Sequence, residues 1–220
     1  MTDVVIFGTS EFAEIVYRFL LKDKNFNVVA FTVHEKFLQH NKFQDLPVIA
    51  FEKLENEFLP SKIKLFVALG YTDNNKKRES VFNQVKQKGY SCISYVDSSN
   101  TIGDDFECGE NCFIFENNVL QPSVKLGDNV IVWSGNLISH HTIIKNNCFI
   151  STGSIIGGHV TIENNCFLGL GSIIRNSIKV DSECVIGAGA VILENTNKNE
   201  VYVSKGTVKL DISSNDLTKL

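Results

Sequence analysis

The sequence predicts a two-part protein: a small N-terminal α/β unit with a parallel sheet, then a parallel β-helix of six-residue repeats. Two observations carry this. In the first part short apolar runs alternate with helix-like stretches, which is how a parallel sheet flanked by helices is written. In the second part every sixth residue from Ile102 to Ile192 is large and apolar, and fifteen of these sixteen positions are aliphatic. A third observation supports both. Of 220 residues, 43% are hydrophobic and 21% charged, an ordinary globular balance with enough length to bury a core.

The elements of the first part follow in order. Residues 4–7, Val-Val-Ile-Phe, read as a buried strand, and Gly8-Thr9-Ser10 as a turn. Residues 11–21 carry Phe12, Ile15, Val16, Phe19 and Leu20 at helical spacing. Residues 28–33 and 65–69 are further strands, the latter ending at Gly70. A second helix is expected over 78–88 with Gly89 closing it, then a last strand over 91–96. The result is a Rossmann-like sheet over 1–97, joined by a polar linker, Asp97-Ser98-Ser99-Asn100, to the repeats of 102–203 and a tail of 204–220.

The repeat fixes the second part. Four residues after most of the large apolar positions stands a small or β-branched one, as at Val124, Val130, Thr142, Cys148, Ser154, Val160, Cys166, Ser172, Cys184 and Ala190. One large and one small inward residue per hexad marks a hexapeptide β-helix, in which three hexads close one triangular coil. Sixteen hexads give about five coils, stacked at about 4.8 Å. Cys148, Cys166 and Cys184 are spaced by one coil and should form a vertical ladder of small inward residues. Such a ladder does not supply the tetrahedral thiolate set of a zinc site. None of the six cysteines forms a CxxC pair, so reduced thiols in a cytoplasm are expected.

Composition excludes two partner classes. With 25 acidic against 21 basic residues the chain lacks the positive surface that nucleic acid requires. No apolar run reaches the roughly 18 residues of a membrane span, and the N-terminus has no positive region of a secretory leader.

Chemistry gathers at three histidines. His140, His141 and His159 occupy outward corner positions of their hexads, and His141 and His159 are one coil apart. An imidazole at an outward corner is available as a base near neutral pH. A zinc enzyme of the β-helix carbonic anhydrase type gathers three imidazoles across a subunit interface, two of them a few residues apart on one chain. Here two are adjacent and the third lies a coil away, so that spacing is not matched. At the N-terminus, Gly8-Thr9-Ser10-Glu11-Phe12-Ala13 keeps only the first glycine of a dinucleotide fingerprint, which disfavours a nicotinamide enzyme. The strand-to-helix turn still points backbone N–H groups toward a diphosphate. Arg78 is left with two readings, a phosphate contact or a surface pair.

Trp133-Ser134-Gly135-Asn136-Leu137-Ile138-Ser139-His140-His141, Cys166-Phe167-Leu168-Gly169 and Cys184-Val185-Ile186-Gly187-Ala188-Gly189-Ala190 resemble the sugar acyltransferases of the left-handed β-helix superfamily. With Val5-Ile6-Phe7-Gly8-Thr9-Ser10-Glu11-Phe12-Ala13 and Val67-Ala68-Leu69-Gly70, nearly the whole chain resembles the branch that includes sialic acid O-acetyltransferases and bacillosamine- and perosamine-type N-acetyltransferases. The resemblance implies left-handed coils, where ordinary parallel crossovers are right-handed. It implies a homotrimer with acetyl-CoA as co-substrate between neighbouring β-helices, a nucleotide-linked amino sugar as acceptor, and a place in surface polysaccharide synthesis such as O-antigen. His140 falls where the family's base sits, and His141 stands where a carboxylate often supports it. Gly157-Gly158 is the candidate oxyanion corner. Gly158, Leu170, Gly171 and Ala188 fall along the CoA arm, and Ser10, Glu11, Phe12 and Gly70 border the nucleotide sugar. No metal is implied. Transfer to nitrogen, transfer to a hydroxyl and a non-catalytic sugar-nucleotide scaffold remain three distinct expectations.

Overall fold

A computed structural model describes residues 1–209 together with 211 and 213. The expected tail of 204–220 therefore lies partly outside the described residues, at 210, 212 and 214–220. Strands β1 (Thr2–Phe7), β2 (Phe26–Val33), β3 (Lys42–Phe43), β4 (Leu46–Ala50) and β5 (Lys64–Val67) form one sheet in the order β3-β4-β2-β1-β5. All its pairs are parallel except β3 with β4. Helix α1 (Glu11–Leu20) follows β1 and buries Ala13, Val16 and Leu20. A short helix α2 (Leu54–Glu57) precedes β5, and α3 (Lys76–Gln87) follows it. Gly8 makes the turn between β1 and α1 possible. Its φ is +125°, and a Cβ there would meet the Ala68 carbonyl oxygen at 2.9 Å.

From Tyr95 onward the chain winds in triangular coils. Sixteen two-residue strands run from Thr101–Ile102 to Val191–Ile192, and each pairs in parallel with the strand one coil on, as Leu137 does with Ile155. With Tyr95–Val96 and Val201–Tyr202 they form a six-stranded, a five-stranded and a seven-stranded sheet, the three faces of a prism. The large positions from Ile114 to Ile192 are buried inside it, with Ile102 and Cys108 packed at its open end. The small positions are buried with them, from Val124 to Ala190. A parallel sheet sealed on its inner face explains why the aliphatic residue at every sixth place never lapses to a polar one.

The seven-stranded face is covered by the α/β unit. Val16 and Leu20 of α1 share one apolar cluster with Phe113, Phe115, Ile131 and Phe149 of the β-helix. Phe115 and Trp133 stack at 4.5 Å and 9°, and Phe12 packs on both. Two expectations change here, and one element was not anticipated. Residues 91–96 do not add a strand to the first sheet: Cys92 bridges Leu65 alone, and Tyr95–Val96 pairs with Phe113–Ile114 in the β-helix. The stack of Tyr95 on Phe113 at 4.7 Å decides that partner. Residues 97–100 are a coil corner, with the Asn118 amide donating to Asn100 Oδ1 at 2.7 Å. The pair β3–β4 joins two residues, Lys42–Phe43, to a five-residue apolar run, Leu46–Ala50, that contains Pro47, and neither carries an alternation long enough to read.

Arg78 satisfies neither of its two readings. It is fully buried at the seam between the two units. It donates to the carbonyls of Gly70 (2.9 Å), Asn129 (3.2 Å), Asn147 (3.0 Å) and Cys148 (3.2 Å), and to the side-chain oxygens of Asn75 (2.9 Å) and Asn129 (3.2 Å). Burial lowers its pKa to about 10, which leaves it charged at neutral pH. The planar five-donor fork ties the loop after β5 to two coils at once.

Candidate active site

The prism places the histidines on one edge and the expected cofactor residues on two. His140 and His141 lie in the corner between Leu137–Ile138, a strand of the six-stranded sheet, and Ile143–Ile144 of the five-stranded sheet. His159 lies directly above, in the next coil. All three are exposed. The rings of His141 and His159 stack at 4.8 Å and 19°, as their one-coil spacing predicts. His140 stands across them, 87° to one and 85° to the other. Its Nδ1 is 3.2 Å from Nδ1 of His141. Gly158 lies under the His140 ring, and a Cβ on it would come within 2.8 Å of Cε1 and 2.9 Å of Nε2. That glycine is what gives the ring its seat.

Of the Gly157-Gly158 corner, the Gly157 amide is already engaged, donating to the Ile174 carbonyl at 2.9 Å. It is removed as an oxyanion donor because the coil ladder consumes it. The Gly158 amide has no partner among the described residues.

Leu170 and Ala188 lie on the neighbouring edge, between the seven-stranded and six-stranded sheets. They line one cleft of about 430 Å³ with Tyr71, Trp133, Phe149 and Phe167. Gly171 follows Leu170 in the same corner, with φ +63°. So Leu170, Gly171 and Ala188 keep together, whereas Gly158 belongs to the histidine edge. The aromatic wall was missed in the sequence. Its signal was the column Phe113, Ile131, Phe149, Phe167, apolar at outward positions one coil apart.

Of Ser10, Glu11, Phe12 and Gly70 only Ser10 lines the second cleft, about 550 Å³, which it shares with Gly8, Thr9, Leu69 and the lysines Lys36 and Lys77. Ser10 caps α1 through its backbone, without a side-chain bond. Glu11 is exposed outside the lining, and Phe12 is absorbed in packing against Trp133. Gly70 sits between Leu69, which lines this cleft, and Tyr71, which lines the aromatic one. The loop after β5 thus joins the two clefts. His34, on the rim, hydrogen-bonds Glu52 at 2.9 Å. Burial raises the Glu52 pKa, but hydrogen bonds from its own and the Glu35 amides and from His34 outweigh that and hold it below the ordinary range.

The cysteine ladder is structural. Cys148, Cys166 and Cys184 are buried, and each thiol donates to a carbonyl, of Glu163 (3.0 Å), Asp181 (3.1 Å) and Asn197 (3.1 Å). The adjoining Cys148 and burial push the Cys166 thiol well up, and burial raises that of Cys184. Neither is a thiolate nucleophile.

Comparison with known proteins agrees with this architecture. Residues 3–85 match the family profile of the PglD N-terminal domain, and residues 159–194 that of the hexapeptide repeat of succinyl-transferase. No curated protein sequence gives a match. Among solved structures, the acetyltransferase domain of PglB from Neisseria gonorrhoeae is 21% identical with a TM-score of 0.80, over 91% of this chain and 96% of that one. The same domain in complex with acetyl coenzyme A gives 21% and 0.79, over 90% and 94%. PerB from Caulobacter crescentus, in complex with CoA and GDP-perosamine, gives 20% and 0.77, over 92% of each chain. The chain joins a domain that matches the PglD N-terminal profile to a left-handed β-helix of hexapeptide repeats, and it shares that two-part fold with the PglB acetyltransferase domain and with PerB.

Proposed function

We propose that this chain is an acetyl-CoA-dependent acetyltransferase acting on the amino group of a nucleotide-linked amino-deoxysugar. The observation that carries this reading is the exposed His140 imidazole seated over Gly158 on one prism edge, with an apolar cleft along the next edge. The face between those edges presents Val119, Ile155, Ile173 and Val191 to solvent. An apolar stripe of that kind favours burial against another copy. A head-to-tail contact that closes as a ring of three would set the His140 edge of one chain beside the Leu170–Ala188 edge of its neighbour. The homotrimer is thus the arrangement that unites base and cofactor cleft.

The nucleotide fits the Gly8–Ser10 cleft. There the open N-terminus of α1 and the charges of Lys36 and Lys77 suit a diphosphate. The sugar then extends past Gly70 toward Tyr71. CoA lies along Leu170, Gly171 and Ala188. For His140 to accept a proton at Nε2, its Nδ1–H must donate to the lone pair on Nδ1 of His141, and the 3.2 Å contact permits this. As the acceptor nitrogen attacks the thioester carbonyl, His140 removes its proton, and the Gly158 amide offers a hydrogen bond to the oxyanion. Collapse expels the CoA thiolate, which recovers the proton from the imidazolium.

The test incubates the chain with acetyl-CoA and a panel of UDP-, GDP- and dTDP-linked amino sugars, beside the corresponding hydroxyl sugars. CoA release only with amino acceptors supports the reading. Release with hydroxyl acceptors alone assigns O-acetylation, and nucleotide-sugar binding without turnover assigns a scaffold.

A further inference from the structure

The histidine edge holds more imidazole than one base requires. A ring nitrogen from each of His140, His141 and His159 lies within 4.8 Å of the other two. The third lies eighteen positions, one coil, beyond the second. The coil turns that separation into a vertical step, so His159 stacks on His141 while His140 faces both. A tetrahedral metal ion with bonds of about 2.0–2.1 Å holds its nitrogens about 3.4 Å apart. His140 and His141 already stand at 3.2 Å. His159 is exposed and closes the remaining gap by side-chain rotation, a fast and inexpensive motion. Gly158 leaves the space in which the His140 ring turns.

We infer that His140, His141 and His159 bind one late first-row divalent metal ion, and that this ion silences the enzyme. Three neutral imidazoles suit zinc, copper or nickel, and leave a fourth position open to water. Coordination through Nδ1, the atom 3.2 Å from His141, leaves the ring's one proton on Nε2, where His140 would otherwise accept one. The silencing half rests on the proposed role of His140; the binding half does not.

The probe is Zn²⁺ alone, titrated calorimetrically into tag-free, chelator-treated protein without CoA or sugar. Binding should saturate at one ion per chain. His159→Asn should weaken it at least about tenfold. Asparagine is the right replacement, because His159 has φ +57° and Asn129, Asn147 and Asn165 hold the same left-handed conformation at another corner. Paramagnetic resonance of the Cu²⁺ form should show imidazole nitrogens in the wild type and one fewer in the variant. Absence of saturable binding, or unchanged affinity and spectrum in His159→Asn, overturns the site. In the activity arm Zn²⁺ should inhibit at the concentration at which it binds, and about tenfold more should be needed for His159→Asn. One bound ion with undiminished turnover leaves the metal site standing, and overturns both the silencing and the assignment of His140 as base.

Discussion

His140 owes its position to three facts that act together: an outward corner place in its hexad, a glycine beneath it and a second imidazole beside it. The first was legible in the sequence, because the inward residues at every sixth place leave the middle of each hexad facing out. The seat over Gly158 was not, since it needs the one-coil offset between positions 140 and 158 to be seen as contact. His140→Asn is expected to lower turnover by roughly 10²–10⁴-fold, the range for loss of a general base. His141→Asn, which changes only the partner at Nδ1, should lower it less. Steady-state kinetics on the best acceptor of the panel checks both, and a larger loss in His141→Asn reverses the two roles. Arg78 marks the limit at this scale. Four of its six acceptors are backbone carbonyls, three of them 51 to 70 positions away, and no residue type announces a carbonyl.

At the level of elements, the two parts of the chain differ in how far they could be read. The coils repeat one local rule, so two inward residues per hexad define strand, corner and stacking partner together. The α/β unit depends on pairing choices that no local rule makes. Tyr95 reads as a strand residue, but whether it joins Leu65 or Phe113 is decided by the aromatic packing between the units. The same seam sets the stability of the assembly of elements. Arg78→Met should leave the carbonyls of Asn129 and Asn147 without their buried donor and destabilise the chain by roughly 3–5 kcal/mol. Urea unfolding measures it. A change within about 0.5 kcal/mol, as for a surface substitution, would remove Arg78 from the role of rivet.

The whole molecule is a prism whose working parts are distributed around it. The N-terminal unit covers the seven-stranded face and brings its nucleotide cleft to the aromatic cleft through Gly70 and Tyr71. The histidine edge and the Leu170–Ala188 edge border the six-stranded face on opposite sides. The resemblance carried both residue sets from the sequence, but their separation became visible only when each corner was assigned to a pair of faces. The central claim is that one catalytic site takes its base from one chain and its cofactor cleft from another. Co-expression of His140→Asn chains with Leu170→Glu chains, followed by purification of mixed assemblies, tests it most directly. Leu170 is 59% exposed, so the charge obstructs the cleft without disturbing the core. Each variant alone should be nearly inactive, and every mixed ring of three should hold one working site, about a third of the wild-type count. Mixed assemblies no more active than the two parents would place base and cleft in the same chain and contradict the account.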